Sequence, residues 1–568
     1  MKKLSKYFLI STILILSGCS QEVDIPIEGA IAGSAVPNNA AFIETLVVNS
    51  YAILDGNLNN GNPWFQAASN WIYGEVAADA AYKGSDPGDQ QEIAALQRWQ
   101  AFARGESFDR KWRAVFEGIS RCNLAIKAVN NGLSSGSITA EQGASFLGEL
   151  RFLRAHYHFE GKKIWGNIPF VDENATESLN NMGVDVWSPI EADFQFAIAN
   201  LGETKVRFGG ADKWTAKAYL AKAFMFQSKF SQAKPLLDDI INNGPFALTA
   251  KFNDNFNVAS NQNSETVFAV QYSVNDASNG SSNGNWGDAL NFPHNSPVGG
   301  GCCGFFLPSQ NLVNAFKTDA NGLPLLDTFN DNPIVTSDKG LSGSAAFTPY
   351  QGNLDPRLDW TVGRRGIPFH DWGDFPGSPW IRDPSTGAYV AKKIVHFQAQ
   401  QTDAFTAGNS WTSSVSVMQT NLIRYAEVLL WRAEIAAEES DLPTALTMVN
   451  QVRARAANPI NFVTKADGVT PAANYVISTY TSFPNQTFAK KAVYFEQRLE
   501  MALEGHRFFE LVRQGRAAQV LNDYAAVEGI RQPDALAGAS FQPFAEIFPI
   551  PQNAIDLSQR VLQQNPGY

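Results

Sequence analysis

The 568-residue sequence has few cysteines and histidines, no basic surplus and no long apolar run. Its four cysteines and six histidines leave no convincing set of zinc ligands. The 44 lysines and arginines are outnumbered by 55 acidic residues, which gives a net charge of −11. Because nucleic-acid-binding proteins normally carry a basic surplus, no nucleic-acid partner is predicted. No apolar stretch reaches the roughly 20 residues of a membrane-spanning helix.

Apolar and aromatic residues, in contrast, are plentiful. Hydrophobic residues make up 44 % of the chain, and 13 residues are tryptophan. This composition excludes intrinsic disorder, which needs few apolar residues and a high net charge. The length alone allows three or four domains or one large domain.

The N-terminus predicts the compartment of the protein. Three lysines precede an apolar run of ten residues, 7–16, as in a signal peptide. The next residues, Leu16-Ser17-Gly18-Cys19, resemble a bacterial lipobox, which implies cleavage before Cys19 and lipid attachment to its thiol. We therefore expect a lipoprotein signal peptide over residues 1–18 and a lipidated tether over residues 19–39. The alternative is an ordinary signal peptide with a chance cysteine.

Helical periodicity dominates the body of the chain outside its middle quarter. Residues 112–129 and 146–160 place apolar side chains three and four positions apart, which predicts helices with one buried face. Residues 214–243 and 425–455 keep the offsets of a tetratricopeptide repeat, with alanines where paired helices approach closely. The predicted fold class is mainly α: a scaffold of tetratricopeptide-like helix pairs.

Residues 275–420 differ in composition from both flanks. They form about a quarter of the chain but hold 17 of its 44 glycines and 11 of its 28 prolines. This predicts an irregular, loop-rich insert with short strands that bears much of the ligand face. The scaffold then consists of an N-terminal helical part, residues 40–274, and a C-terminal helical part, residues 421–568. In the latter we expect helices from Leu422 to about Tyr524, with one break near residues 458–486.

Five sequence blocks carry a family resemblance: ELRFLRAHYHFEGKKIWGNIPFV (149–171), FFLPSQNLVNAF (305–316), LIRYAEVLLWRAEIAAE (422–438), FEQRLEMALEGHRFFELVRQG (495–515) and the terminal QNPGY (564–568). These blocks resemble the SusD/RagB family of nutrient-binding outer-membrane lipoproteins. The resemblance covers essentially the whole chain, since the order and spacing of the blocks agree as well as their content.

The resemblance implies a function as well as a fold. It implies a non-catalytic lipoprotein on the outer membrane, facing the exterior, that captures oligosaccharides or polysaccharides. It also implies delivery of the glycan to a TonB-dependent transporter of the SusC type, and it implies no cofactor. Two alternatives stay open: a surface glycoside hydrolase, and a module that binds peptides or proteins.

Candidate binding residues follow from the chemistry of sugars. A sugar ring presents an apolar face and a rim of hydroxyls, so its site needs flat aromatic side chains beside carboxylates, amides or arginines. Loops of the chain hold such residues: Asp55, Asn57, Trp64, Asp79, Trp99, Trp286, Asp288, Arg364, Trp372 and Trp380. The alternative for each tryptophan is packing in the core, because most tryptophans are largely buried.

Two further candidates are the adjacent Cys302 and Cys303 in a glycine-rich loop. In an oxidising, extracellular setting two neighbouring thiols can close a vicinal disulfide, an apolar knob suited to a sugar face. The alternative is two reduced or separately buried thiols, because disulfide geometry is demanding.

Three glutamates spaced four apart, Glu496, Glu500 and Glu504, raise the question of acid–base catalysis. A glycoside hydrolase would need two carboxylates facing each other across a cleft. The favoured interpretation is structural, with ion pairs at i, i+3 such as Glu504–Arg507 and Glu510–Arg513.

Overall fold

The computed structural model describes residues 39–56, 61–176, 179–278, 280–298, 302–408, 412 and 415–568. The described chain is mainly helical with a few short strands, which confirms the predicted fold class. Its α-helices are α1 (Ala40–Tyr51), α2 (Gln91–Gln97), α3 (Glu106–Ser135), α4 (Ala140–Trp165), α5 (Trp187–Asn200), α6 (Lys213–Met225), α7 (Phe230–Asn243), α8 (Gln310–Ala315), α9 (Arg357–Thr361), α10 (Tyr425–Glu438), α11 (Leu442–Ala457), α12 (Gln486–Glu500), α13 (Arg507–Arg513), α14 (Ala517–Arg531), α15 (Pro533–Leu536) and α16 (Gln552–Leu557).

The two longest helices, α3 and α4, contain the predicted apolar stripes and pack against each other. Gly136 ends α3 in the left-handed conformation, with φ of 71°, which a glycine adopts without steric cost. Thr139 then begins α4 with a capping box, in which its side chain accepts the Gln142 N–H and the Gln142 side chain accepts the Thr139 N–H. Local sequence signals therefore determine this helical hairpin.

The two predicted helix pairs are α6 with α7 and α10 with α11. The alanines expected at the close approaches, Ala221, Ala233, Ala433 and Ala445, are fully buried. Helix α7 also packs against α10, which joins the two pairs across the chain. Small side chains at these positions allow the helix axes to come close, while larger apolar residues fill the remaining core.

Eight short strands form four antiparallel two-stranded sheets among the described residues. The strands are β1 (Ala81–Gly84), β2 (Thr266–Val270), β3 (Phe305–Pro308), β4 (Val362–Gly363), β5 (Val390–Ala391), β6 (Thr406–Ala407), β7 (Val415–Ser416) and β8 (Thr420–Arg424).

Strand pairing ties the predicted insert to the scaffold. Strand β2 pairs with β8 at the base of the insert, and β1 of the N-terminal part pairs with β3 inside it. Leu422 lies in β8, so the expectation that helices resume there is wrong, and α10 begins at Tyr425. Pairing with β2 keeps residues 422–424 extended, although their sequence continues the helical pattern of α10. The domain boundaries at 275 and 420 stay predictions.

The signal peptide, Cys19 and all of the tether before its last residue lie outside the described residues. Within the described ranges, no helix combines the length and the apolar character needed to cross a membrane.

Candidate functional site

We define the loop face as five half-buried side chains on four loops: Trp64, Trp286, Cys302, Trp372 and Trp380. The Trp64 indole N–H donates to Gln90 Oε1 at 3.3 Å. The backbone N–H of His294 donates to the carbonyl of Trp380 at 3.0 Å. These bonds connect segments that are far apart in sequence.

Further hydrogen bonds join the Gly304 and Trp286 loops to other parts of the fold. The N–H of Ser85 donates to the carbonyl of Gly304 at 2.6 Å, which joins the loop after β1 to the loop before β3. The core residue Trp71 donates its indole N–H to the carbonyl of Gly287 at 3.1 Å, next to Trp286. The loop face is thus fixed by hydrogen bonds to the scaffold.

The tryptophans of the loop face are held by indole hydrogen bonds or, for Trp380, by ring packing. Trp286 donates to the carbonyl of Ser281 at 2.7 Å, and Trp372 donates to the carbonyl of His396 at 3.0 Å. Trp380 packs edge-on against Phe369 with ring centroids 5.7 Å apart. Because each ring is held in place but is only half-buried, the rings can contact a ligand with little loss of side-chain entropy.

A charged rim borders these rings. The Arg382 guanidinium lies 2.6 Å from Asp86 Oδ2 and 2.8 Å from Asp89 Oδ2, and it donates to Ser85 Oγ at 3.0 Å. The three charged side chains are each about one-third exposed, between 31 % and 37 %. They therefore offer donors and acceptors to sugar hydroxyls.

A histidine lies beside this rim. Partial burial and the nearby Arg382 charge lower the pKa of His294, which favours the neutral ring with one donor and one acceptor nitrogen. Neither Arg382 nor His294 is among the binding residues predicted from the sequence. The proline- and glycine-rich stretch around Arg382 was the available signal.

The structure bonds the sulfur atoms of Cys302 and Cys303 to each other. Cys302 is half-buried, and Cys303 is 6 % exposed. The other described cysteine, Cys122, is a free thiol buried in the helical core. Of the two alternatives for the adjacent cysteines, the structure has the vicinal disulfide.

Two charged sequence candidates are buried in ion pairs instead of lying on the loop face, which corrects their assignment. Asp79 accepts from Arg507 at 2.7 Å and lies 3.1 Å from Arg498. Although burial acts to raise the pKa of Asp79, these two arginines hold it well below its usual range. Arg364 binds Asp359 through two hydrogen bonds of 2.6 and 2.9 Å and is 2 % exposed.

Two further candidates are also buried and do not lie on the loop face. Trp99 is 6 % exposed, donates its indole N–H to the carbonyl of Ala77 and packs edge-on against Phe541. Asp288 is 4 % exposed and accepts from Ser69 Oγ at 2.7 Å, and burial raises its pKa. Asp288 also accepts from the neighbouring Asn285 at 2.9 Å.

Asp55 lines a different cavity of about 300 Å³, together with Tyr51, Arg207 and Gln271. Burial raises the pKa of the Asp55 carboxyl to about 7. The cavity is bounded by α1, the end of β2 and the segment of Ser273 and Asn283, next to the Ser281 carbonyl that accepts from Trp286. Asp55 therefore stays a candidate. Asn57 lies outside the described residues.

A larger cavity of about 700 Å³ opens beside the Trp64–Gln90 contact. Its lining combines Phe65 and the 47 % exposed Phe102 with polar side chains such as Gln90, Arg98 and Glu106. Apolar surface beside convergent polar groups is what a binding cavity for an amphipathic ligand requires. This cavity extends the surface available next to the loop face.

The carboxylates Glu496 and Glu500 are wholly buried and engaged by arginines. Arg357 lies 2.6 Å from Glu496 and 2.9 Å from Glu500, and all three side chains are 0 % exposed. The structural interpretation of these glutamates is therefore confirmed. The ion pair Glu510–Arg513 is present. The expected Glu504–Arg507 pair is wrong, because Glu504 pairs with Lys393 and Arg424 while Arg507 pairs with Asp79.

The described residues hold no group of three or more His, Cys, Asp or Glu side chains placed to bind a metal ion. The carboxylates at the rim, Asp86 and Asp89, share the single guanidinium of Arg382 and do not face each other across an open cleft. The loop face combines apolar rings with hydrogen-bonding groups, which is the chemistry of a binding surface.

A helix-pair scaffold that carries an aromatic loop face defines a class of helical binding protein. Comparison with known sequences is more specific: a sequence profile of the SusD family matches residues 264–568. Because this match spans more than half of the chain, the protein belongs to the SusD family.

Individual relatives are distant but extensive in coverage. SusD-like protein P25 from Formosa agariphila is 22 % identical over 476 residues, which cover 80 % of this chain and 79 % of the relative. Surface glycan-binding protein A from Bacteroides fluxus is 22 % identical, with a TM-score of 0.67 over 94 % of this chain and 100 % of that one. Its counterpart from Bacteroides thetaiotaomicron, solved in complex with laminarihexaose, is 20 % identical, with a TM-score of 0.61 over 92 % of this chain and 99 % of that one.

Proposed function

We propose that this protein is a non-catalytic, lipid-anchored glycan-binding protein of the outer-membrane surface. It captures oligosaccharides or polysaccharides outside the cell on the loop face and releases them to a TonB-dependent transporter of the SusC type. The observation that carries the proposal is the set of half-buried tryptophans, Trp64, Trp286, Trp372 and Trp380, beside the charged rim of Arg382.

The geometry supports glycan binding through two complementary contacts. The indole rings provide flat apolar surface for the C–H faces of sugar rings. Arg382, Asp86 and Asp89 provide donors and acceptors for the hydroxyl rim, and all three are partly exposed. The family relationship supports the same function, since related solved structures include surface glycan-binding proteins, one of them with laminarihexaose bound.

The surface location and the transporter partner are supported by sequence and family. The lipobox-like Leu16-Ser17-Gly18-Cys19 predicts the lipid anchor, and membership of the SusD family supports the SusC-type partner. Co-purification from detergent-solubilised outer membranes tests both. We expect a lipidated N-terminal cysteine by mass spectrometry and a TonB-dependent barrel in the same fraction. A Cys19→Ser variant that stays on the outer membrane would contradict the anchor.

Affinity electrophoresis against a panel of purified polysaccharides, laminarin among them, tests the binding function. We expect at least one neutral glycan to retard the protein, because the acidic net charge of −11 disfavours heavily sulfated or uronate-rich ligands. Retardation by none of the panel would overturn the proposal. Incubation with the retarding glycan should release no new reducing ends. Their release would favour the alternative of a surface glycoside hydrolase.

A further inference from the structure

The Cys302–Cys303 disulfide lies at the centre of the contacts that build the loop face. The N–H of Cys303 donates to the carbonyl of Leu290 at 3.3 Å, and the N–H of Gly304 donates to the carbonyl of Phe292 at 2.9 Å. The carbonyl of Gly304 in turn accepts from Ser85. Backbone bonds therefore fix this segment on both sides, independently of the sulfur atoms.

The bond has little to contribute to stability. A disulfide stabilises a fold mainly by closing a loop in the unfolded chain, and the effect grows with the length of that loop. Here the two cysteines are adjacent, so the bond closes no loop of intervening residues. Its consequence for the protein is instead the surface that it creates.

That surface is apolar and immobile. Two thiols would rotate freely and carry S–H donors, whereas the bonded pair has no donor and holds both side chains in one position. Sulfur is polarisable and packs well against apolar groups. Cys302 supplies the accessible part, since it is half-buried while Cys303 is 6 % exposed.

Two polar residues, Arg382 and His294, lie close to the residue after the disulfide. A Cβ atom placed on Gly304 would be 3.3 Å from the Cβ atoms of both Arg382 and His294. The contact is tight and Gly304 has a positive φ, which favours glycine, so Arg382 and His294 lie close to the residue that follows the cysteine pair. The Arg382 guanidinium donates to Ser85 Oγ, and the Ser85 N–H donates to the Gly304 carbonyl, so the guanidinium is held near this segment. An apolar disulfide with a guanidinium and a histidine nearby has the groups to match the apolar face and hydroxyl rim of a single sugar ring.

We propose that the bonded Cys302–Cys303 pair is a ligand-contact element of the loop face, against which the apolar face of one sugar ring packs while Arg382 and His294 bind its hydroxyls. This inference rests on the proposed glycan-binding function. It adds a subsite whose affinity depends on the disulfide, and the tryptophans provide separate contacts.

Calorimetric titration with laminarihexaose, or with whichever glycan retards the wild type, tests the proposal. The proteins compared are the wild type, the wild type reduced with dithiothreitol, and the double variant C302S/C303S. In the reduction, dithiothreitol transfers two electrons and two protons, closing to its cyclic disulfide while the Cys302–Cys303 bond becomes two thiols. We expect affinity to fall by about tenfold or more in both altered proteins, the loss that removal of a central contact produces.

The thermal unfolding midpoint should stay unchanged in the same samples, because the bond closes no loop. Dithiothreitol added to C302S/C303S should have no further effect, which excludes an action through Cys122. Wild-type affinity in a sample whose peptide masses show free thiols at both Cys302 and Cys303 would overturn the subsite and leave the proposed function standing. Failure of the oxidised wild type to bind any glycan of the panel would overturn both.

Discussion

The charged side chains around Glu500 are buried, whereas those around Arg382 are partly exposed to solvent. In the interior, Glu500 meets Arg357 and Arg424 at 2.9 and 2.7 Å, and all three side chains are 0 % exposed. Burial acts to raise the pKa of Glu500, but the surrounding arginines hold it well below its usual range. On the loop face, Arg382 is 33 % exposed and its two carboxylate partners remain open to solvent.

The difference separates structural charges from charges available to a ligand. In a buried ion pair the hydrogen-bonding groups are occupied by other residues of the fold, and removal of one partner leaves an uncompensated charge. A half-exposed pair contributes little to stability and can exchange water for ligand hydroxyls. The predictions below test whether this division between the interior and the loop face holds.

The largest effect is expected from Arg357→Leu in the interior. Arg357 neutralises Asp355, Glu496 and Glu500 at 2.7, 2.6 and 2.9 Å. Its loss leaves Asp355 buried without a cation and removes one of the arginines that neutralise the other two carboxylates, which keep Arg453 and Arg424. We therefore expect the free energy of unfolding to fall by about 3–5 kcal/mol. Urea denaturation followed by circular dichroism measures the change. A loss below about 1 kcal/mol would show that this buried network stabilises the fold no more than an exposed ion pair does.

A second interior carboxylate, Glu75, tests what happens without a close cation. Its Oε1 accepts the N–H groups of Gly505 and His506 at 2.8 and 3.1 Å, while its Oε2 has no hydrogen-bond partner in the structure. Burial raises its pKa from 4.5 to about 7. The folded protein therefore binds this proton more tightly than the unfolded chain does. The associated stability is present below pH 4.5 and is lost as the pH rises through about 7.

Glu75→Gln should remove this component of the pH dependence. Relative to the wild type, the variant should gain about 3 kcal/mol of unfolding free energy between about pH 4.5 and pH 8. Denaturant unfolding at a series of pH values measures the difference. Glu203→Gln, which changes an exposed carboxylate, is the matched control and should follow the wild-type profile. Parallel profiles for wild type and Glu75→Gln would contradict the burial of an unpaired carboxylate.

The helical scaffold could be predicted from the sequence. Apolar stripes three and four residues apart depend only on local spacing, so α3 and α4 follow directly from them. Which polar residues are buried in ion pairs and which are exposed could not be predicted from local spacing. Asp79 pairs with Arg507, which is 428 positions away along the chain, and only the fold brings the two together.

The candidate site shows the same limit. The glycine- and proline-rich composition located Trp286, Trp372 and Trp380 on loops, where the structure has them half-buried. Trp99 is a candidate because Asp79 and other polar residues lie near it in sequence, but this proximity does not reveal the packing of Phe541 against its ring. Exposure is a tertiary property, and it separates contacts from core more reliably than residue type.

On the loop face, Trp286→Ala and Trp372→Ala should weaken glycan binding by about tenfold or more, which corresponds to about 1.4 kcal/mol. Both rings are half-buried, and we expect the thermal unfolding midpoint to stay close to that of the wild type. Calorimetry with the retarding glycan and thermal unfolding of the same samples give the two quantities. Trp99→Ala is the matched control: it should destabilise the fold, because Trp99 is buried in the core. Unchanged affinity in both face variants would remove these rings from the site.

The smallest effect is expected at an ion pair that belongs to neither region. Lys491 lies 2.8 Å from Asp327, and the two side chains are 51 % and 69 % exposed. Because solvent and salt screen such a pair, Lys491→Ala should change the free energy of unfolding by less than about 1 kcal/mol. Glycan affinity should equal that of the wild type. A larger loss of stability, or one that persists at about 1 M salt, would mean that exposure does not separate weak charge pairs from strong ones in this protein. In that case the contrast between Glu500 and Arg382 would need another cause.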